Sequence, residues 1–447
     1  MIDEKEARKL TDAILHRCKG SPAELNLQFT DSALTRFANN IIHQNVAERD
    51  AEVTLRYFIG KQIGTATTNR FDAAGLDELV ERARNNAKTS PEDPNYPGLP
   101  EPEAYQRVAS WDTSTADYSP EKRARAVGPV CQMATERGLN ASGAFSTGTV
   151  VLVVVNTQGV FMYHPQTSAD FQTVIMSEDS SGRAHGSAWK ADELDTVSLG
   201  KEAIDTAVRG RNPRKIDPGE YTVIFEHYVT EDLINSLNFY GMSAQAVHEG
   251  RSWMNDRLGQ QLMSPSVSIW DDGLDIHGLP LPFDFEGVPK QRVDIVKQGV
   301  VMGPVYDRYS GAKMGKPSTG HAPPISFHGF GPLALNLFMA PGDVTVQEMI
   351  ASTKKGLYIN RFWYTRLVHP RDCVITGMTR DGAFMVEDGR VTYPVKNLRY
   401  TMPYVQALAN VESVGKTSHL LVAEFGGIGT HVPALKINAF NFTGSTV

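Results

Sequence analysis

Gly60-Lys-Gln-Ile-Gly-Thr-Ala66 and Gly182-Arg-Ala-His-Gly-Ser-Ala188 are the two stretches on which the fold turns. Each follows strand-like runs, and each precedes an acidic, helix-forming segment: FDAAGLDELVERARNNAK after the first, DELDTVSLGKEAIDTAVRG after the second. Upstream of the first lie a helical segment, Glu4–Cys18, and the runs AELNLQFT, LTRFANN, IIHQNVAERD and AEVTLRYFIG. Upstream of the second lie the helical segment Pro120–Arg137 and the runs TVVLVVVN, GVFMYHPQ and DFQTVIMSE. Such β-branched and aromatic runs predict strands, and Gly60-Lys61 and Asn156-Thr-Gln-Gly159 predict hairpin turns. The apolar stretch Val150–Val155 suits a buried strand. The repeat predicts two helix–sheet–helix units, about 1–90 and 119–210, in one pseudo-duplicated α+β domain over 1–210. The two glycine motifs are expected at matching hairpin positions, Gly60 with Gly182 and Gly64 with Gly186.

Prolines at 91, 94, 97, 100 and 102 forbid helix or central strand over 90–103, which reads as a linker or extended arm. Pro213 and Pro218 mark a second boundary, after which the pattern changes. Tyr221–Val229 reads as a strand. Glu231–Arg257 reads as a helix, with Leu233, Leu237, Tyr240, Ala244 and Val247 at helical spacing. Beyond Leu262 come mostly strands and turns: ISFHGF, LALNLFMA, KGLYINRFWYT, CVITGMT, GAFMVEDGRVTYP and SHLLVAEFG. Arg380-Asp-Gly382, Glu387-Asp-Gly389 and the cluster Gly426-Gly-Ile-Gly429 predict turns or bulges. Residues 217–447 are therefore expected to form a β-rich domain, a curled sheet or partial barrel.

The 447 residues, 41% hydrophobic and 21% charged, describe an ordinary globular protein. A net charge of −7 gives no nucleic-acid footprint, and the basic run RGRNPRK at 209–215 reads as a solvated connection. Cys18, Cys131 and Cys373 form no Cys-x-x-Cys pair and fit a reducing compartment. No apolar run is long enough for a membrane span, and MIDEKEARKL lacks a signal-peptide core. A cytoplasmic location is the expectation.

A zinc protease places two histidines one helical turn apart, with a glutamate beside the first to activate water. His248-Glu249 begins such a pattern, but residue 252 is serine and 253 tryptophan. His321 and His328 flank two prolines, which deny them a shared helical face but let them converge across a loop. Cys373 has His369 four residues away, a dyad only if the fold joins them. There is no Gly-x-Ser-x-Gly elbow and no phosphate-binding loop.

Residues 238–273, NFYGMSAQAVHEGRSWMNDRLGQQLMSPSVSIWDDG, and 284–321, DFEGVPKQRVDIVKQGVVMGPVYDRYSGAKMGKPSTGHA, with VPALKI at 432–437, resemble the TldD/PmbA family, also called TldD/TldE. That family is described both as modulators of DNA gyrase and as a two-subunit metalloprotease acting on unfolded or extended peptides. The resemblance lies toward the PmbA/TldE branch. The TldD side carries His-Glu-x-x-x-His on a helix whose counterpart here lies roughly within Glu231–Tyr240, and EDLINSLNFY has no histidine. It also implies a cysteine ligand near the C-terminus, where this chain has Glu424-Phe-Gly-Gly427. The resemblance thus implies a subunit without catalytic or metal residues of its own, zinc in a TldD-like partner, and pairing with that partner or self-association as a dimer. Ser318, Thr319, His321 and His328 are its candidates for peptide or subunit contact, and His248 and Glu249 its catalytic alternative. The competing readings are a self-sufficient homodimeric peptidase with metal on His321, His328 or His248, and a peptide-binding protein.

Overall fold

The computed structural model describes residues 2–423 and 427–445. The first half runs α1 (Glu4–Arg17), β1 (Ala23–Ala38), β2 (Ile41–Ile59), β3 (Gln62–Thr68), α2 (Ala73–Thr89), a single turn α3 (Thr113–Ala116), α4 (Pro120–Glu136), β4 (Asn140–Asn156), β5 (Phe161–Met176), β6 (Ser181–Ala188) and α5 (Thr196–Arg209). Its six strands form one antiparallel sheet in the order β3-β2-β1-β4-β5-β6. The runs read separately as AELNLQFT and LTRFANN are one strand, β1, and the two that follow are one strand, β2. The turn between them is Asn39-Asn40, both at positive φ, a conformation asparagine adopts more readily than most residues.

The duplication is present, but its register differs from the expected one. Ala23 faces Tyr57, which faces Gly64; Ala141 faces Ile175, which faces Gly182. Each counterpart lies 118 positions on, so Gly64 matches Gly182, and Gly60 is a turn residue at φ +58°. The reason is contact with the following helix. A Cβ on Gly64 would lie 2.1 Å from the backbone of Ala83 and Ala87 in α2, and one on Gly182 would lie 2.0 Å from Ala203 O in α5. Both helices sit directly on the strand, which only glycine permits. Aligning the motifs end to end matches glycines with different tasks.

α1 and α2 cover one part of the helical face over Leu25, Leu27, Val53 and Leu55; α4 and α5 cover the other over Phe145, Phe171 and Ile175. β4 is buried on both faces. Val151, Val153 and Val155 point to the helices, while Leu152 and Val154 meet Met162 of β5 and Phe283 of the second half. The proline-rich segment continues as an extended arm along the sheet to Asp112, where Ser110 O accepts from Thr167 N at 2.9 Å and Asn156 Nδ2 donates to Pro100 O.

The second half runs β7 (Gly219–Phe225), α6 (His227–Gly241), α7 (Ala244–His248), β8 (Ile269–Asp271), β9 (Val293–Lys297), β10 (Val300–Val301), α8 (Arg308–Met314), β11 (Asn336–Met339), α9 (Val346–Ala351), β12 (Lys355–His369), β13 (Val374–Glu387), β14 (Arg390–Pro394), β15 (Leu398–Pro403), α10 (Tyr404–Ala409), β16 (Val411–Val422) and β17 (Gly429–Ser445). Eleven strands make a mixed sheet in which β17 pairs with β7 through its middle and with β15 only near its end, so the sheet curls without closing fully. The helix expected over Glu231–Arg257 breaks after Gly241, where the Trp253 indole occupies the space of a Cβ. ISFHGF is a 3-10 turn, Ile325–Phe330, rather than a strand. Arg380-Asp-Gly382 lies inside β13 as a kink, with Asp381 at φ +52° and Gly382 at φ +122°. The Gly426–Gly429 cluster begins outside the described residues.

The close helix–strand approach sets a prediction. Gly182→Ala should destabilise the chain by about 2–3 kcal/mol, as overpacking does. Gly128→Ala, inside α4 with open space around it, should be neutral or stabilising by up to about 1 kcal/mol. Urea denaturation of the two variants measures both, and equal effects would refute the contact argument.

Candidate functional site

One turn-spaced face of α6 decides where a site can form. Glu231, Asn235 and Phe239, and beside them Asp232, Ser236 and Tyr240, recur every four residues and line a cavity of 610 Å³. The facing wall is β12 from Arg361 to Arg366. β7 pairs with β12 only as far as Ile359, so beyond that point β12 has β13 on one edge and the cavity on the other. Phe327 and Phe330 form a lip, β16 contributes Leu421 and Val422, and β6 of the first sheet contributes Arg183 and His185.

β12 carries one extra residue between Trp363 and Arg366 relative to Met378 and Thr376 of β13. The bulge puts Tyr364 at φ +56°, an uncommon and costly conformation for an aromatic residue, with its side chain 66% exposed. It also turns Thr365 inward, where its Oγ1 donates to Asp232 at 2.9 Å. Tyr404 OH donates to the same carboxylate at 2.8 Å and lies 2.7 Å from Tyr400 OH. Burial on the cavity floor raises Asp232 to about 6, against these two hydrogen bonds. Trp363 is flanked by the guanidinium groups of Arg361 and Arg380, 4.8 and 5.1 Å from its ring.

Two polar clusters tie this cavity to the first sheet. His185 Nε2 lies 2.7 Å from Asp170 Oδ2, and Ser187 donates to the same oxygen at 2.6 Å. Val422 N donates to Ser187 Oγ at 3.1 Å, which joins this cluster to β16 at the edge of the cavity. Asp381 accepts from Arg361 Nε at 2.6 Å and from Ser181 Oγ, while Asn360 Nδ2 donates to both Arg183 O and Asp381 O.

The residues singled out from the sequence lie elsewhere or stand in other roles. His321 is buried: its Nε2 lies 2.8 Å from Asp271 Oδ1, its Nδ1 2.9 Å from Thr319 Oγ1, and Lys290 Nζ sits 3.4 Å from the same Asp271 oxygen. Burial lowers the His321 pKa, reinforced by Lys290. Burial opposes the charge on Asp271, but Lys290 and His321 outweigh it and hold the carboxyl below its usual range. Ser318 and Thr319 are half-buried and bond to Tyr306 within their own loop. His328 is exposed on the 3-10 turn beside Phe327 and Phe330, so it and the buried His321 are not brought together as a ligand pair. His248 and Glu249 are exposed at the end of α7, where Glu249 accepts from Gln245 and Arg251. Cys373 is buried and its thiol pushed far up by desolvation, while His369 pairs with Asp372. What the sequence reading missed is the wall RFWYTR, whose three consecutive aromatic residues between two arginines on one strand were its signal.

The donor set on α6 does not fit zinc. The wall offers carboxylates and an amide where zinc prefers imidazole and thiolate, and Asp232 is committed to Tyr404 and Thr365. Among the described residues no three His, Cys, Asp or Glu side chains are grouped to hold a metal. Glu424–Gly426, opposite which a cysteine ligand was expected, lies outside them.

Comparison with known proteins agrees with this architecture. A family model described as the PmbA/TldA metallopeptidase C-terminal domain matches residues 218–444, and another, described as PmbA/TldA metallopeptidase domain 1, matches 23–87. A metalloprotease TldD homolog of Haemophilus influenzae is 21% identical over 95% of this chain and 93% of its own length. A metalloprotease PmbA homolog of the same species is 27% identical over 82% and 81%. Among solved structures, TldE from Thermococcus kodakarensis aligns with a TM-score of 0.88 at 18% identity, covering 97% of this chain and all of that one. A protein described as a modulator of a DNA gyrase, from Thermotoga maritima, aligns at 0.87, also at 18% identity, covering 98% of this chain and 100% of that one. The two structures share the fold, the sequence match extends over half of the chain, and this protein belongs to the PmbA/TldD family of metallopeptidases.

Proposed function

We propose that this chain is a TldE/PmbA-like subunit without a metal of its own, which holds an extended peptide while a TldD-like, zinc-bearing subunit cuts it in the cytoplasm. The observation that carries this is the wall of α6: the face that would present a zinc motif presents Glu231, Asp232 and Asn235, with the intact cavity still in front of it. Among the described residues no strand pairs with β12 beyond Ile359 on the side of that cavity, and this supports the peptide half of the reading. An exposed strand edge offers N–H and C=O groups to any extended backbone, whatever its sequence, and side-chain pockets beside it add selectivity. Phe239, Phe330 and Trp363 would take apolar side chains there. No helix among the described residues is long and apolar enough to cross a membrane.

Elemental analysis of the purified chain should find far less than one zinc per chain, and mixing with a TldD-like subunit should give a complex that cleaves an unfolded peptide. One zinc per chain together with cleavage by this chain alone would replace the proposal with a self-sufficient peptidase.

In that reconstituted assay, Trp363→Ala should raise KM about tenfold with kcat little changed, since it removes uniform peptide binding. His248→Ala should change neither. His321→Ala should instead lower stability by about 3 kcal/mol, because it opens a buried ion network. A tenfold fall in kcat for His248→Ala in a folded, paired protein would return His248 and Glu249 to candidacy.

A further inference from the structure

The charges around the cavity are unevenly spent. Its β12 wall carries Arg361 and Arg366, and both are engaged. Arg361 donates to Asp381 Oδ2 and lies over the Trp363 ring; Arg366 donates to Thr365 O at 2.7 Å and lies 4.4 Å over the exposed Tyr364 ring. Arg183, on β6, donates to Gln172 Oε1 at 3.5 Å. Asp232 has no such counterpart. Its hydrogen bonds come from two hydroxyls, Thr365 and Tyr404, and among the described residues no lysine, arginine or histidine pairs with it. A carboxylate set this far into a protein is ordinarily paired. The titratable groups that face it are Tyr240 on its own helix, Tyr400 and Tyr404 at the β15–α10 corner, and Cys373 before β13; burial raises all four and keeps them neutral. Tyr240 also feels Arg366, which is exposed. The rings divide in the same way. Trp363 and Tyr364 already carry guanidinium groups, whereas among the described residues no cation lies over Phe239, Tyr240, Phe330 or Phe362. Ser236 and Tyr240 follow Asp232 at one-turn spacing in the cavity wall, a hydroxyl and then a ring.

We propose that Asp232 seats a primary ammonium group of the bound peptide, a lysine side chain or the N-terminal amine. This rests on the peptide-holding reading of the cavity and adds the class of peptide. A carboxylate has about four lone-pair positions, so two hydroxyl donors leave room for a third donor from the cavity. An ammonium supplies it as a charge-assisted hydrogen bond, lays its methylene stem against Phe239 and Phe362, and is attracted to ring faces that hold no cation. Thr365 and Tyr404 fix the carboxylate in one orientation, so the acceptor is ordered before the peptide arrives. The bulge at Tyr364 gains a purpose here, since it is what turns Thr365 toward Asp232. Burial without a cation raises Asp232 to about 6. The seat is therefore charged and receptive above that pH and loses its charge as the pH falls through it, while a bound ammonium pulls the pKa down.

The test is an anisotropy titration of the purified chain, alone and paired with a zinc-stripped TldD-like subunit. The probe is a short unstructured peptide with one central lysine and a fluorophore on a C-terminal cysteine. Replacing the lysine by norleucine, or acetylating the N-terminus, shows which ammonium is read. At about pH 7.5 one of these changes should weaken binding about tenfold, the order a hydrogen bond to a charged group supplies. Near pH 5 the difference should largely vanish, because the carboxylate is then protonated while the ammonium keeps its charge. Asp232→Asn should remove the difference at both pH values, whereas a merely structural role would weaken all the peptides alike. If Asp232→Asn does not fold, the pH profile of the unmodified chain decides. Equal binding of the lysine, norleucine and acetylated peptides, or a preference that survives in Asp232→Asn, would overturn the ammonium seat and leave the peptide-holding reading standing. No binding of any peptide, alone or paired, would overturn both.

Discussion

β1 and β4 pair antiparallel over fourteen residue pairs, from Glu24–Asn156 to Phe37–Gly143, and through that ladder the two halves of the duplication become one sheet. The local twofold passes through Asp31 and Thr149, which face each other and are also each other's counterparts. Everything outward from that line follows in matched pairs: β2 with β5, β3 with β6, α2 with α5. β4 can carry five buried apolar residues in succession, Val151–Val155, because helices cover one face and the second half of the chain the other, and a strand buried on both faces does not alternate. The second sheet thus depends on the first for the burial of Phe283, and the first depends on the second to cover Leu152 and Val154.

Much of this was legible in the sequence, for definite reasons. Glycines, prolines and β-branched runs report local backbone requirements, so the duplicated units, the arm and most strands could be read directly. The four-residue misalignment has an equally definite cause. Gly60 is needed for a positive φ, Gly64 and Gly182 for helix contact, and a spacing alone cannot tell one need from the other. ISFHGF failed because apolar alternation over six residues fits a strand and a 3-10 turn alike. The helix beyond Gly241 failed because the obstacle, Trp253, comes from twelve residues downstream and acts only once the chain has folded.

The cavity was harder to foresee. It gathers α6, an edge segment of β12, the end of β16, a 3-10 turn and two residues of β6, which no local pattern joins. Histidine drew attention because of its chemistry, yet His321 serves as an internal strut between Asp271 and Thr319, and His248 faces solvent. The residues that shape the space, Asp232, Tyr364, Thr365 and Tyr404, are remarkable only in combination: a bulge that turns Thr365 inward, and a carboxylate that receives two hydroxyls.

Asp381 gives the cavity a second dependence. Its carboxylate holds Arg361, which lines the cavity, and Ser181, which belongs to the first sheet, while Asn360 beside it grips Arg183 O across the same junction. The wall and the joint between the sheets are therefore one mechanical object. Any occupant that moves Arg361 pulls on the seam, and any force that shifts the seam changes the shape offered to the occupant.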